Sequence, residues 1–84
     1  MGTNSKLFAI RLKGIKEIGE FVSRISTLSG DYDLSCGRRN IDAKSLMGIF
    51  SLDINQELLL TVHMPEEIEV MKSKLEQFIV REVF

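Results

Sequence analysis

The sequence predicts an α+β domain of two layers, in which helices cover one face of a four-stranded antiparallel sheet. Apolar residues alternate in four short segments, and they recur at steps of three and four in others. Along the chain these segments follow the order β-α-β-β-α-β-α. Since 84 residues suffice for one modest core, we expect a single domain over 1–84, with 1–5 as a disordered tail.

The first strand is predicted over 6–13, where apolar and polar residues alternate. Its buried face consists of Phe8, Ile10 and Leu12. Over 16–29 the period changes to that of an amphipathic helix. The apolar stripe of this helix consists of Ile15, Ile18, Phe21, Val22, Ile25 and Leu28. Gly30 follows at the position where a left-handed C-terminal cap is typical.

A hairpin of two short strands is predicted next. Its alternating residues are Tyr32, Leu34 and Cys36, then Ile41 and Ala43, with the turn over 36–40. A short helix over 45–52 follows, for which Ser45 is the predicted N-cap. The apolar positions of this helix are Leu46, Ile49 and Phe50.

The fourth strand and a last helix complete the predicted domain. Leu58, Leu60 and Val62 lie on one face of the strand. The last helix is predicted over 65–80, because Pro65 suits a first helical turn. Its apolar face consists of Ile68, Met71, Leu75, Phe78 and Ile79. We expect the helices over 16–29 and 65–80 to pack on the sheet face that bears Phe8.

Composition excludes several classes of protein. No apolar run approaches the ~20 residues that cross a bilayer, so no membrane association is expected. The first six residues lack the apolar core of an export signal, and the chain has a single cysteine. These features favour the cytoplasm.

Charge is unevenly distributed along the chain. Residues 1–44 contain eight Lys and Arg against five Asp and Glu, whereas residues 45–84 contain three against seven. Such asymmetry either steers an acidic partner toward one face or only solvates the surface. A dense basic stripe with interleaved aromatic residues is absent from the sequence, so direct nucleic-acid binding is not expected.

Few residues in the sequence suggest chemistry. His63, the only histidine, is predicted to face solvent or a sheet edge, as a structural residue or as a base without an evident partner. Cys36 is predicted on the core face, as a packing residue or as a reactive thiol. One cysteine and one histidine do not make a zinc site, and no glycine-rich phosphate loop occurs. We therefore expect a non-enzymatic protein without metal or cofactor.

Ser45 has two interpretations. As an N-cap it satisfies a free amide of the short helix. As a phosphorylation site it would add nearly two negative charges beside Leu46, Met47 and Phe50, which would alter any surface that they form.

The segment AKSLMGIFSL at 43–52 resembles the regulatory-serine segment of HPr, the small phosphocarrier of the bacterial sugar phosphotransferase system. The pair Phe21 and Val22 and the predicted element order are also similar to that family, so the resemblance covers nearly the whole domain. It implies the HPr-like two-layer open-faced sandwich.

The resemblance also implies what is missing. The family's phosphoacceptor histidine falls on Gly14, its arginine on Lys16 and the following proline on Glu17. Glycine cannot accept a phosphoryl group. The chain is in this respect similar to the catabolite-repression HPr, which keeps the serine and lacks the histidine.

The function implied is that of a regulatory docking protein, controlled by phosphorylation of Ser45. The partners implied are HPr kinase or a catabolite-control repressor. Docking residues carried over from the family are Ile15, Lys16 and Gly19 on the first helix, and Leu46, Met47 and Phe50 on the short helix. Two alternatives stay open: a phosphocarrier with another acceptor, either His63 or a serine, and an HPr-fold module with an unrelated partner.

Overall fold

A five-stranded antiparallel sheet forms the centre of the computed structural model, which describes residues 5–63 and 65–83. The strands are β1 (Lys6–Ile10), β2 (Tyr32–Cys36), β3 (Arg39–Asp42), β4 (Leu58–Val62) and β5 (Ile79–Glu82). The helices are α1 (Ile15–Ile25), α2 (Leu46–Phe50) and α3 (Ile68–Leu75), and a 3₁₀ turn over Pro65–Glu67 precedes α3. All but Ser5 of the predicted N-terminal tail lies outside the described residues.

The strands lie in the order β3-β2-β4-β1-β5, and every neighbouring pair is antiparallel. In the register of β1 with β4, Phe8 lies opposite Leu60. Leu60 in turn lies opposite Leu34 of β2. These three side chains are buried, as the alternation in the sequence predicts.

One core lies between the sheet and the helices. Helix α1 contributes Ile18, Phe21 and Ile25 to it, and α3 contributes Met71 and Leu75. The opposite sheet face carries more accessible residues such as Asp33, Leu59 and Thr61. The predicted two-layer α+β arrangement with antiparallel strands is thus confirmed. Among the helices of the described residues, none combines the length and apolar character needed to cross a membrane.

The prediction of four strands is wrong, and so is the prediction of one helix over 65–80. Helix α3 ends at Leu75, and after a turn at Phe78 the chain forms β5 beside β1. The Phe78 ring stays in the core, where it packs edge-on against Phe21 with ring centroids 5.6 Å apart. Arg81 then lies opposite Ala9, and its guanidinium binds Glu57 through two hydrogen bonds of 3.0 and 3.1 Å.

Three predictions about α1 also need correction. The helix ends at Ile25 instead of reaching residue 29, and Ser26 forms its C-cap. Gly30 has no left-handed conformation, and its amide donates a hydrogen bond of 3.0 Å to the Glu67 carboxylate. Ile15 is 74% exposed, so it lies outside the core to which its spacing assigned it.

Gly14 and Gly19 provide a matched pair for testing the start of α1. Gly14 has φ 108° and ψ 178°, a conformation almost confined to glycine, so Gly14→Ala is expected to cost about 1–3 kcal/mol. Gly19 lies inside the helix with open space at its Cβ position, so Gly19→Ala is expected to stabilise by about 0.5–1 kcal/mol. Urea unfolding of both variants measures these changes, and equal effects would contradict the assigned conformations.

Candidate docking surface

Helix α2 is held to the domain by few contacts. Ser45 is its N-cap, with its hydroxyl accepting a hydrogen bond of 3.0 Å from the Gly48 amide. Ile49 is its one fully buried side chain. The helix approaches β3 at Gly48, where an added Cβ would lie 3.2 Å from the Ile41 Cβ. This anchoring leaves the remaining side chains directed outward.

Four large apolar side chains are exposed on α1 and α2, and we call them the α1–α2 patch. Met47 is 77% exposed, Ile15 74%, Phe50 46% and Leu46 40%. The two helices contact each other, so the patch extends over neighbouring elements. Full burial of such a side chain usually contributes about 1.5–3 kcal/mol, a gain that the isolated domain makes only in part at Leu46 and Phe50 and hardly at all at Met47 and Ile15. Patches of this kind in other proteins mark interaction sites.

The other predicted docking residues also lie on exposed parts of α1. Lys16 and Gly19 are both exposed, and Lys16 directly follows Ile15. The structure thus brings all six predicted docking residues to the surface of two contacting helices. Exposure makes these six side chains accessible to a partner. Their docking role stays a prediction.

Several cations flank the α1–α2 patch. Lys13 and Lys16 lie on either side of Ile15 along the chain. Lys44 precedes Ser45, but its amine donates to the Leu28 carbonyl oxygen and lies 5.8 Å from the centre of the Tyr32 ring, so it is not directed at the patch. Arg39 donates a hydrogen bond of 2.9 Å to the hydroxyl of Ser51, which places its guanidinium at the C-terminal end of α2.

The cations beside the patch are not paired with carboxylates. The ion pairs among the described residues involve Lys6, His63 and Arg81, all outside the patch. The amines and guanidiniums that flank the patch therefore lie farther than 4.0 Å from every described carboxylate. Their charge remains available to an incoming partner.

Ser45 is the N-cap of α2, as the sequence predicted, and it is partly exposed. Its neighbours Leu46 and Met47 are exposed as well, which the apolar character of the segment alone did not require. A phosphate on the Ser45 oxygen would consequently lie at the border of the α1–α2 patch. Whether this serine is modified stays a prediction.

The start of α1 already holds an anion of its own. The Glu17 carboxylate accepts a hydrogen bond of 2.8 Å from the Lys13 amide just ahead of the helix. Gly14, the N-cap, offers no side chain that could accept a phosphoryl group. Beside Gly14 the Glu17 carboxylate opposes a second anion, whereas Lys13 and Lys16 carry the opposite charge on either side of Ile15.

His63 has a partner that sequence reasoning missed. Its Nε2 lies 2.8 Å from Asp33 Oδ2, and its Nδ1 lies 3.5 Å from Ser5 Oγ. Asp33, His63 and Ser5 thus form a row on the sheet face opposite the core. The row runs from β2 past the end of β4 to the start of β1. No local pattern in the sequence places Ser5 beside His63. The antiparallel register of β1 with β4, in which Lys6 lies opposite Val62, brings them together.

A serine, a histidine and an aspartate in a row resemble the groups of acyl-transfer sites. Here, however, the His63 and Asp33 side chains are 40% and 37% exposed, and the contact with Ser5 is at the limit of a hydrogen bond. Asp31 and Asp42 line the same surface cleft of about 410 Å³. This concentration of carboxylates opposes the approach of a phosphoryl donor to His63.

Two further sequence-based expectations concern metal ligands and the thiol. Within 5–63 and 65–83, no cluster of three or more His, Cys, Asp or Glu side chains could hold a metal ion. Cys36 is half-buried and packs against the core, and its Sγ lies 3.9 Å from the Asp53 carbonyl oxygen. This placement agrees with the packing role considered for the thiol.

A second group that the sequence did not reveal surrounds Glu67. Its carboxylate accepts hydrogen bonds from the Ser29 hydroxyl, from the Ser29 amide at 3.2 Å, from the Gly30 amide at 3.0 Å and from the Tyr32 hydroxyl at 2.8 Å. The hydrogen bonds from Ser29, then Tyr32 and Gly30, lower the pKa of Glu67 to about 2. Burial, together with the bond to Glu67, raises the pKa of Tyr32. This group fixes the start of α3 to the loop that follows α1.

Glu67→Gln is expected to destabilise the domain at neutral pH, because an amide cannot accept all four hydrogen bonds as an anion does. The folded-state pKa of Glu67 is depressed, so its stabilisation is complete above the unfolded value of about 4.5 and is lost as pH falls toward about 2. Urea midpoints measured over this range should converge for the wild type and the variant. A difference that is constant with pH would contradict the role of the charge.

Comparisons with protein-family models, with curated proteins and with solved structures find no match to this chain.

Proposed function

We propose that this chain is a non-catalytic docking protein whose α1–α2 patch binds an acidic segment of a partner protein. The observation that carries the proposal is the exposure of Met47, Ile15, Phe50 and Leu46 on two contacting helices. An apolar centre surrounded by charged residues is the common arrangement of a transient protein interface.

Charge supports an acidic partner. Lys13, Lys16 and Arg39 flank the patch without ion pairs to described carboxylates, so a partner with Asp and Glu around its apolar anchors would complement them. Such pairing accelerates association and weakens as salt increases. In the HPr family a catabolite-control repressor binds the serine-phosphorylated form. The acidic partner proposed here binds the unmodified patch and is a different regulatory protein.

Phosphorylation of Ser45 is proposed as the control of docking. The phosphate would place nearly two negative charges beside Leu46 and Met47, which lowers the affinity for an acidic partner. The fold would change little, because Ile49 stays buried under α2 and the phosphate oxygens can accept the Gly48 amide hydrogen bond that the Ser45 hydroxyl accepts now. The resemblance to HPr implies an HPr kinase as the modifying enzyme.

Capture from an extract of the native host tests the proposal. The immobilised wild type, Met47→Asp and Ser45-phosphorylated forms would be compared with Val70→Asp. This control changes a residue that is 51% exposed on α3 and does not belong to the patch. We expect an acidic protein retained by the wild type and by Val70→Asp, released by salt, and lost from the other two forms. Retention by Met47→Asp equal to that of the wild type would contradict docking through the patch.

The same capture separates the two parts of the proposal. If the Met47→Asp variant loses the protein while the phosphorylated form retains it, docking through the patch stands and control by Ser45 is wrong. If an HPr kinase modifies a control HPr but leaves Ser45 unmodified, the interaction module with an unrelated partner becomes the better account.

A further inference from the structure

The sulfur atoms in the described part of the chain differ greatly in access to solvent. Met47 is 77% exposed, whereas Met71 is completely buried in the core. Cys36 is half-buried against the core. Peroxides oxidise a methionine only where they can reach its sulfur, so Met47 is the most accessible of these three positions.

We propose that Met47 is an oxidation site at which a peroxide switches the α1–α2 patch from a docking to a non-docking surface. This regulation rests on the docking function proposed above. A lone pair of the Met47 sulfur attacks one oxygen of hydrogen peroxide, the S–O bond forms and the O–O bond breaks. The sulfur loses two electrons, and the peroxide is reduced to water once a proton has moved to the departing oxygen.

The position of Met47 determines the consequence of this step. Met47 is the most exposed side chain of the patch, so the sulfoxide would replace an apolar contact surface by a polar, hydrated one. The anchors of α2 are Ile49 and the hydrogen bond between Ser45 and Gly48, neither of which involves the Met47 sulfur. Oxidation therefore changes the surface while the fold is retained. Methionine sulfoxide reductases restore the thioether.

Hydrogen peroxide treatment of the folded full chain, followed by peptide mass spectrometry, tests the site. Met71 can react only when the core opens, so we expect Met47 to gain oxygen more than about tenfold faster than Met71. In concentrated urea the two rates should become similar. Equal rates in the folded protein would overturn the proposal.

Retention on a phenyl column measures the effect on the patch without any partner. We expect peroxide to reduce the retention of the wild type, sulfoxide reductases to restore it, and Met47→Leu to keep its retention after peroxide. Met1, Met64 and Cys36 are common to both proteins, so the difference between them isolates Met47. An equal loss in Met47→Leu would refute the switch.

The proposed docking function is judged separately, by capture of a partner with unoxidised protein. A protein that shows the peroxide effect but captures no partner would disprove docking. Capture that depends on the patch but survives complete oxidation of Met47 would disprove only the switch.

Discussion

Phe78→Ala is expected to cost about 3–5 kcal/mol of the free energy of unfolding, as truncation of a buried phenylalanine usually does. Phe78 is 1% exposed and packs against Phe21 in an edge-on geometry. The Arg24 guanidinium also lies 5.9 Å from the centre of its ring. The Phe78 carbonyl oxygen accepts a hydrogen bond of 2.9 Å from the Arg11 amide, so the residue joins the end of α3 to β1 and β5.

Urea unfolding of Phe78→Ala measures this cost, and Gln77→Ala is the matched control. Gln77 is the exposed neighbour of Phe78 along the chain. Its substitution removes an exposed hydrogen bond of 3.2 Å to Glu20, which usually contributes about 0.5–1.5 kcal/mol, less than the cost expected for Phe78. A cost below about 1 kcal/mol for Phe78→Ala would show that its ring is not enclosed by the core.

The turn at Phe78 is also where prediction from the sequence failed. Met71, Leu75, Phe78 and Ile79 continue a helical spacing, and no glycine or proline interrupts it. Tertiary contacts override this helical preference. Residues 79–82 pair as β5 with the otherwise free edge of β1, and Arg81 binds Glu57 across the sheet. Local periodicity carries no information about an available strand edge.

The earlier strands were predictable for the opposite reason. In β2 and β4, apolar side chains occupy every second position and all lie on the buried face of the sheet. A shift of the strand register by one residue would turn these side chains to the exposed face. The hairpin between β2 and β3 was equally local, with Gly37 at φ 60° in its two-residue turn. Such signals lie within a few residues of the element that they specify.

The candidate site was predictable only in part. The capping role of Ser45 follows from its position ahead of an apolar segment, and the structure has it as the N-cap of α2. The pairing of His63 with Asp33 spans 30 residues and depends on strand order, which the sequence does not state. The four donors around Glu67 likewise meet only after α3 packs beside the loop that follows α1.

The second large effect is expected in binding. Met47→Asp should raise the Kd of the partner at least about 30-fold, since a central interface residue often contributes about 2 kcal/mol or more. The added carboxylate would also repel an acidic partner. The free energy of unfolding of the Met47→Asp variant should change little, because Met47 is exposed and does not belong to the core.

Isothermal titration of purified partner measures the Kd, with Val70→Asp as the matched control. Both variants place the same charge at an exposed apolar position, but on different helices. We expect unchanged affinity for Val70→Asp and, for the wild type, a Kd that rises with salt. Equal weakening by both variants would point to a general effect of charge instead of a localised interface.

Titration of isotopically labelled protein with the captured partner, followed by amide chemical shifts, tests most directly which surface docks. We predict that the amides of Ile15, Lys16 and Gly19 on α1 and those of α2 shift on binding. The amide chemical shifts of Thr61 and His63, whose side chains lie on the sheet face opposite the core, should not change. Shifts confined to that opposite face, with α1 and α2 unaffected, would contradict docking through the α1–α2 patch.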